Sequence, residues 1–440
     1  MIWSTELQKQ PKNNFKLADE QKEIEEFISK CNTDYVVYNP ICPSPKSEEQ
    51  ERIMTKKFDQ FIYLDNNATT PLLPTVKEKI NAVADMVGNG SSDHEAGIKV
   101  RAYVEQARIN VAQKLKVDPK QLLFTSSGSE SNNMVIKGFV LKNIKTLRNS
   151  RILTTEYEHK SVLNSINYIA KKFGCIVDYL SLDKNGAVDV DKVLTMVKNY
   201  TKETNPIAMV SVIGANNETG VINPVRKIIS IFKNLDERIF THSDMCQLLG
   251  KAHLYPLDYL DAATFTAHKF GGPIGVSALY LKDFDKIDPL IHGGNQEFQM
   301  RAGTYNAPLI FGMSAAVLEI STNNMSKMIL LRDEFIKNLK NNFDCKINCE
   351  GALRLSNTIS VTFNTSILAE KMVQKLSKAG IFISTSSACN SREKKPSYVL
   401  KAIGLSDEEA YRTLRISLNI NSTQKELNIL LTELKQIIGA

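Results

Sequence analysis

The stretch AATFTAHKFGGPIGVSALYL, residues 262–281, reads as an apolar strand, a lysine at its end, a glycine-bearing loop and a second apolar strand. A lysine in that position, Lys269, is costly to desolvate unless it is paired or used. One use is a Schiff base with an aldehyde cofactor, since an amine made less basic by its surroundings is a competent nucleophile. A solvated lysine at a strand-to-loop junction is the plainer alternative.

Outward from this stretch, short β-rich runs alternate with longer amphipathic ones. IYLDNN precedes a helix from about Leu73; LLFT (122–125) precedes a helix from about Glu130; RILTTE precedes SVLNSINYIAKKF; and CIVDYL, AMVSVIG, VRKIISIFKNL and RIFTHSD continue the pattern. Strands alternating with helices imply an α/β domain whose mainly parallel sheet is covered on both faces. After about Ala307 the pattern changes to one long helix over roughly 313–341. Strand-like LSNTISVTF, a helix from about Ile367, IFISTS, TLRISLN and a last helix that Ser422 or Thr423 can cap follow it. The expected organisation is an extension over 1–60, a large domain over 61–315 and a smaller α+β domain over 316–440. The extension holds nine basic and eleven acidic residues, net −2, with a helix expected around Asp19–Lys30 before the Pro-punctuated run NPICPSPKSEEQ.

The 440 residues are 42% hydrophobic and 23% charged, a globular composition that excludes disordered, fibrous and membrane-embedded classes. The net charge of +7 comes without a run of five or six basic residues, so anionic small ligands are served at least as well as nucleic acid, and no nucleic-acid partner is expected. Seven cysteines, at 31, 42, 175, 246, 345, 349 and 389, are odd in number and irregular in spacing, which excludes a secreted disulfide framework. Cys345 and Cys349 form a lone pair, so no metal site is expected. With no run of about 18 apolar residues, no signal h-region and many acids near the start, a cytoplasmic protein without a membrane partner is the default expectation.

Three further pieces carry chemistry. SSGSESNN, residues 126–133, places backbone N–H groups and the Ser129 hydroxyl at a helix start, suited to a phosphate, although such turns are often only caps. Asp244, after RIF, stands at the sheet's carboxyl edge, where an acid can keep a pyridine nitrogen protonated, and Gln247 can donate to a ring oxygen. Alone, Asp244 reads first as an N-cap. His159 ends a strand and begins a helix; it can stack on a planar cofactor and relay protons, or simply start the helix.

Ten motifs occur in the order of one family: YLDNNATTP (63–71), GNGSSDH (88–94), TSSGSESNN (125–133), TEYEHKSV (155–162), NNETGVINP (216–224), HSDMCQLLGK (242–251), TAHKFGGPIG (266–275), HGGNQEFQMRAGTYN (292–306), SSACNS (386–391) and LRISLN (414–419). From about Ile62 onward the sequence resembles the NifS/IscS-like cysteine desulfurases, pyridoxal-phosphate enzymes of the class V aminotransferase group with the type I fold. The resemblance implies that Lys269 carries the cofactor, Asp244 faces its ring nitrogen, Gln247 its ring oxygen, and His159 its ring face. It places the phosphate on Gly128, Ser129, Thr266 and His268, with Thr304 reaching in from a second subunit, hence a homodimer. Asn217 and Arg415 would take the carboxylate of L-cysteine, and Cys389, on a loop of the smaller domain, would accept the sulfur and pass it to an acceptor protein such as an iron–sulfur scaffold. A selenocysteine lyase, another class V lyase and a non-catalytic scaffold relative are the alternatives. Three positions depart from the family pattern: Gly90, where proline is usual; Asn295, where glycine is usual; and Tyr305, where glutamate is common.

Overall fold

The computed structural model describes residues 61–145, 147, 149–200, 206–385 and 395–439, which fall within one compact unit beginning at Phe61. The helix expected around Asp19–Lys30 and the candidate nucleophile Cys389 lie outside the described residues. The chain runs β1 (Ile62–Tyr63), α1 (Pro74–Ala84), α2 (Glu95–Leu115), β2 (Leu122–Thr125), α3 (Gly128–Lys142), β3 (Arg151–Thr154), α4 (Lys160–Phe173), β4 (Ile176–Tyr179) and α5 (Val190–Lys198). It continues through β5 (Ile207–Ser211), α6 (Val225–Leu235), β6 (Phe240–Asp244), β7 (Ala262–Thr266), β8 (Ser277–Leu281), α7 (Ala307–Leu318) and α8 (Thr322–Asn342). The remainder is β9 (Cys345–Ile347), β10 (Thr358–Phe363), α9 (Ala369–Lys378), β11 (Ile381–Phe382), β12 (Ser384–Thr385), α10 (Tyr398–Ala402), α11 (Asp407–Tyr411), β13 (Thr413–Ser417) and α12 (Gln424–Ile438).

Among the described residues, seven strands form the larger sheet in the order β2-β8-β7-β6-β5-β3-β4. β8 is antiparallel to both neighbours and the other pairings are parallel, so β2, β7, β6, β5, β3 and β4 point one way. This is the mainly parallel α/β sheet expected from the alternation of patterns. Its strands alternate side chains between two cores: Leu122 and Phe124 of β2 with Ala263 and Phe265 of β7 on one face, Leu123 and Ala262 on the other. Both faces are therefore dry, and each fully buried Leu or Phe contributes about 1.5–3 kcal/mol.

The smaller sheet, β12-β13-β10-β9, is antiparallel. Ile359, Val361, Leu414 and Ile416 pack under Phe335 and Leu339 of α8, Met372 of α9 and Leu427 and Leu430 of α12. A period of two then turns Thr413, Arg415 and Ser417 to the opposite face, where they are also buried. The last helix begins at Thr423, whose hydroxyl and the Glu426 side chain form a capping box; Ser422, the other candidate, accepts from the Asn419 amide instead.

Three features differ from the sequence reading. The long helix over 313–341 is two helices, α7 and α8, because Ser321 adopts an extended conformation and its side chain caps α8 by accepting from the Asn324 amide. α2 has no clean apolar period in the sequence: its buried face includes Arg108 among Val104, Ala107 and Val111, so a charge interrupts the pattern. That guanidinium is matched by Glu297, whose two carboxylate oxygens each accept from it at 2.8 Å. β1 joins no strand of the larger sheet and pairs in parallel with β11. No helix among the described residues is long and apolar enough to cross a membrane.

Candidate active site

Because six strands share a direction, their carboxyl ends define one edge, the usual ligand-binding edge of an α/β sheet. The loop after β2 opens α3 at Gly128 and Ser129; His159 follows β3; Asn217 follows β5; Asp244 closes β6; Thr266 closes β7, and His268 and Lys269 follow in a 3₁₀ turn. Arg415 comes from the polar face of the smaller sheet. These residues, with Gln247, line a single cleft of ≈ 410 Å³, within the range of small-molecule sites.

Lys269 lies half-buried in the cleft and donates to the carbonyls of Asn67 at 2.7 Å and Ala68 at 2.6 Å. Burial is the main cause that pulls its amine from 10.5 down to about 8, and the Arg415 charge acts the same way, against opposing influences from Cys246 and Asp244. The plain solvated-lysine alternative does not fit that environment.

Asp244 is 4% exposed. It accepts from the Cys246 amide at 3.0 Å and from Asn132 Nδ2 at 2.8 Å. Asn132 Nδ2 also donates to Ser161 Oγ at 2.9 Å, and Ser161 Oγ lies 2.7 Å from His159 Nδ1. The backbone N–H of Ser161 donates to the same Nδ1 at 3.2 Å, so His159 carries its proton on Nε2 when neutral. Burial pushes its pKa below the ordinary value and favours that neutral form. His159 is thus both the N-cap of α4 and a wall of the cleft, so the two readings of it are compatible.

At α3 the Ser127 side chain caps the Glu130 amide, and the first-turn amides of Gly128 and Ser129 have no intrahelical acceptor. Gly128 is required by close approach: a Cβ there would stand 2.8 Å from Cys246 Sγ. His268 Nδ1 is 3.2 Å from Thr69 Oγ1, and burial with the Lys269 charge lowers its pKa to about 3. Arg415 donates to Asp65 Oδ1 at 2.7 Å and to the Asn217 carbonyl at 3.3 Å; its Nε is buried without a partner.

Thr304 is not in this cleft and is solvent-exposed in the single chain. Two of the departures touch: a Cβ on Gly90 would lie 3.1 Å from the Tyr305 ring, and the Tyr305 hydroxyl accepts from the Glu297 amide at 3.2 Å. Asn295 is exposed.

Several cleft residues were not singled out from sequence: Asn67, Asn132, Ser161 and Glu218. Asn67 and Asn132 lay inside quoted motifs, and only tertiary contacts separate them from their neighbours Asn66 and Asn133. Glu218 is buried, and desolvation raises its pKa to about 7; its carboxylate accepts from Ser397 Oγ at 2.6 Å.

The aminotransferase class-V family matches residues 62–430, and the chain belongs to that family. Within it, the relatives are cysteine desulfurases. The chain is 37% identical over 385 residues to the cysteine desulfurase IscS of Dictyoglomus turgidum, which spans 86% of this chain and 94% of that protein. A solved NifS-like protein aligns with a TM-score of 0.78 at 34% identity, over 86% of this chain and 99% of its own. SspA, solved in complex with cysteine, aligns with a TM-score of 0.71 at 31% identity, over 82% of this chain and 100% of its own.

Proposed function

We propose that this chain is a pyridoxal-phosphate-dependent cysteine desulfurase that converts L-cysteine to L-alanine and keeps the sulfur as a persulfide on Cys389. The observation that carries the proposal is the convergence of Lys269, Asp244, Gln247, His159 and Arg415 on one cleft. The donor set suits the cofactor: free amides and hydroxyls at Gly128, Ser129 and Thr266 for a phosphate, a buried carboxylate at Asp244 for the ring nitrogen, and an amine of reduced basicity at Lys269 for the aldehyde. When bound, pyridoxal phosphate supplies an electron sink for the charge left at the substrate Cα.

Each residue then has a task on the substrate side. Arg415 and Asn217 hold the carboxylate, the guanidinium by its planar fork. The Lys269 amine takes the Cα proton, which its lowered basicity permits near neutral pH. Asp244, fixed by Asn132 and the Cys246 amide, faces the ring nitrogen. The Cys389 thiolate attacks the substrate sulfur; the carbon–sulfur bond breaks, a proton replaces sulfur on the departing alanine, and Cys389–S–S⁻ remains. Support for Cys389 comes from the described thiols: burial pushes Cys246 well above its ordinary pKa, Cys349 to about 11, and Cys175 and Cys345 upward. None of these four is a ready nucleophile, whereas Cys389 is flanked by the basic run SREKK.

The proposal includes a homodimer in which Thr304 completes the partner's phosphate site, a large domain over 61–315 with a smaller one over 316–440, a cytoplasmic setting, and a sulfur-acceptor protein such as an iron–sulfur scaffold. The test is turnover by the purified full chain with pyridoxal phosphate on L-cysteine and L-selenocysteine. Stoichiometric alanine and a Cys389 persulfide from cysteine are expected; alanine from selenocysteine alone would assign a different lyase.

A further inference from the structure

Lys251 bonds to two residues that line this cleft, Gln247 and Asn67, and the reaction above leaves it without a task. It is 5% exposed, and among the described residues no carboxylate lies within ion-pair distance of it. Its Nζ donates to two side-chain amide oxygens, Gln247 Oε1 at 2.7 Å and Asn67 Oδ1 at 3.2 Å. Burial and the charges of Lys269 and Arg415 push its pKa well below the usual lysine value. Keeping an amine there costs desolvation, so the contacts that it makes are the place to look for its use.

The Gln247 amide has two chemically opposite ends. Its Nε2 donates to the Asn67 carbonyl at 3.0 Å, and a carbonyl can only accept. Its Oε1 faces the Lys251 amine. With both contacts made, the oxygen is turned away from the cleft and the second N–H of Nε2 is left for it. The Asn67 carbonyl also receives Lys269 Nζ, and Asn67 Oδ1 also receives Asn357 Nδ2 at 3.1 Å. Lys251 therefore tethers the loop that positions both the Gln247 amide and the Lys269 amine.

We propose that Lys251 is a positioning residue that holds the Gln247 amide with its N–H₂ toward the cleft, so that a ring oxygen bound there meets a donor and not a carbonyl oxygen. This rests on the pyridoxal-phosphate reading of the cleft. Lys251→Met keeps the aliphatic stem and removes the donor, freeing Gln247 to rotate. Lys251→Arg keeps donors only, and a cavity of ≈ 70 Å³ lined by Lys251 and Lys269 on the side of Leu73 and Met328 leaves room for the larger head.

The experiment is a double-mutant cycle on the full chain with Lys251→Met, Gln247→Ala and both, read by titrating apo protein with pyridoxal phosphate and by the position of the visible absorption band. Lys251→Met is expected to weaken the dissociation constant about five- to tenfold, one neutral hydrogen bond's worth, and to shift the band. Gln247→Ala should do the same, the double variant no more than either, and Lys251→Arg should restore the parent. Parent-like binding and spectrum in Lys251→Met, or losses that multiply in the double variant, would overturn the assignment. A melting temperature for each variant separates loss of fold from loss of positioning. If the parent binds pyridoxal phosphate but makes no alanine from cysteine, the desulfurase reading fails while this coupling is still measured; a parent that binds none overturns both.

Discussion

The free-amine fraction of Lys269 is open to direct measurement. At about 8, its amine is roughly one-tenth unprotonated at pH 7, against about 0.03% for an ordinary lysine, a gain of about 300-fold in nucleophile. Burial is the main cause and Arg415 the repelling neighbour, whereas Cys246, Asp244 and Asp65 act in the opposite sense. The assay mixes apo protein with excess pyridoxal phosphate and follows the rise of the visible band from about pH 6 to pH 10, divided by the rate constant per unprotonated amine of a simple alkylamine at each pH, so that the reagent's own titration cancels and that of Lys269 remains. The normalised rate should climb about tenfold per pH unit and level off near pH 8. Removing a positive neighbour must raise the midpoint, so Arg415→Met should level off at higher pH; removing a negative one must lower it, so Asp244→Asn should level off earlier. A parent rate that still climbs tenfold per unit through pH 9, or an Arg415→Met profile displaced to lower pH, would refute the assignment of Lys269 as an amine tuned by burial.

Other outcomes follow from the same geometry. Lys269→Ala should lose the visible band and all turnover, whereas Cys389→Ala should keep the band and form no persulfide by mass spectrometry; full turnover in Cys389→Ala would displace it as the nucleophile. Arg108→Met leaves the Glu297 carboxylate, 3% exposed, without its partner, which should cost about 3–5 kcal/mol, or roughly 4–6 °C in melting temperature for a unit of this size. Adding Glu297→Met should recover most of it. Burial raises Glu158 to about 8, so its contribution to stability is full below the ordinary carboxylate range and is lost as pH rises through about 8. Glu158→Gln keeps the acceptor for the Ile213 amide and Thr155 hydroxyl, and its melting temperature should exceed that of the parent at pH 8 and match it at pH 5.

Much of the site was legible because chemistry-bearing residues follow strands. Asp244, Lys269 and His159 could be placed at the sheet edge from apolar runs alone, and the parallel direction that gathers them follows from strands alternating with helices. Arg108 shows the limit in the other direction: its buried face reads as interrupted until Glu297, 189 residues away, supplies the matching charge. The break between α7 and α8 depended on Ser321 acting as a cap inside a polar run, and nothing in a window of that length distinguishes a capping serine from a surface one.

The class of fold, the family and the residue types of the site follow from periodicity and ordered motifs, which are local properties of the chain. Which polar residues act together is set by the folded arrangement. Asn67 and Asn66 are adjacent and alike in sequence, yet Asn67 alone receives Lys251, Lys269 and Gln247. The physical reason is that a hydrogen bond requires about 3 Å and a particular direction, and that relation among residues far apart in the chain exists only after the two sheets have packed.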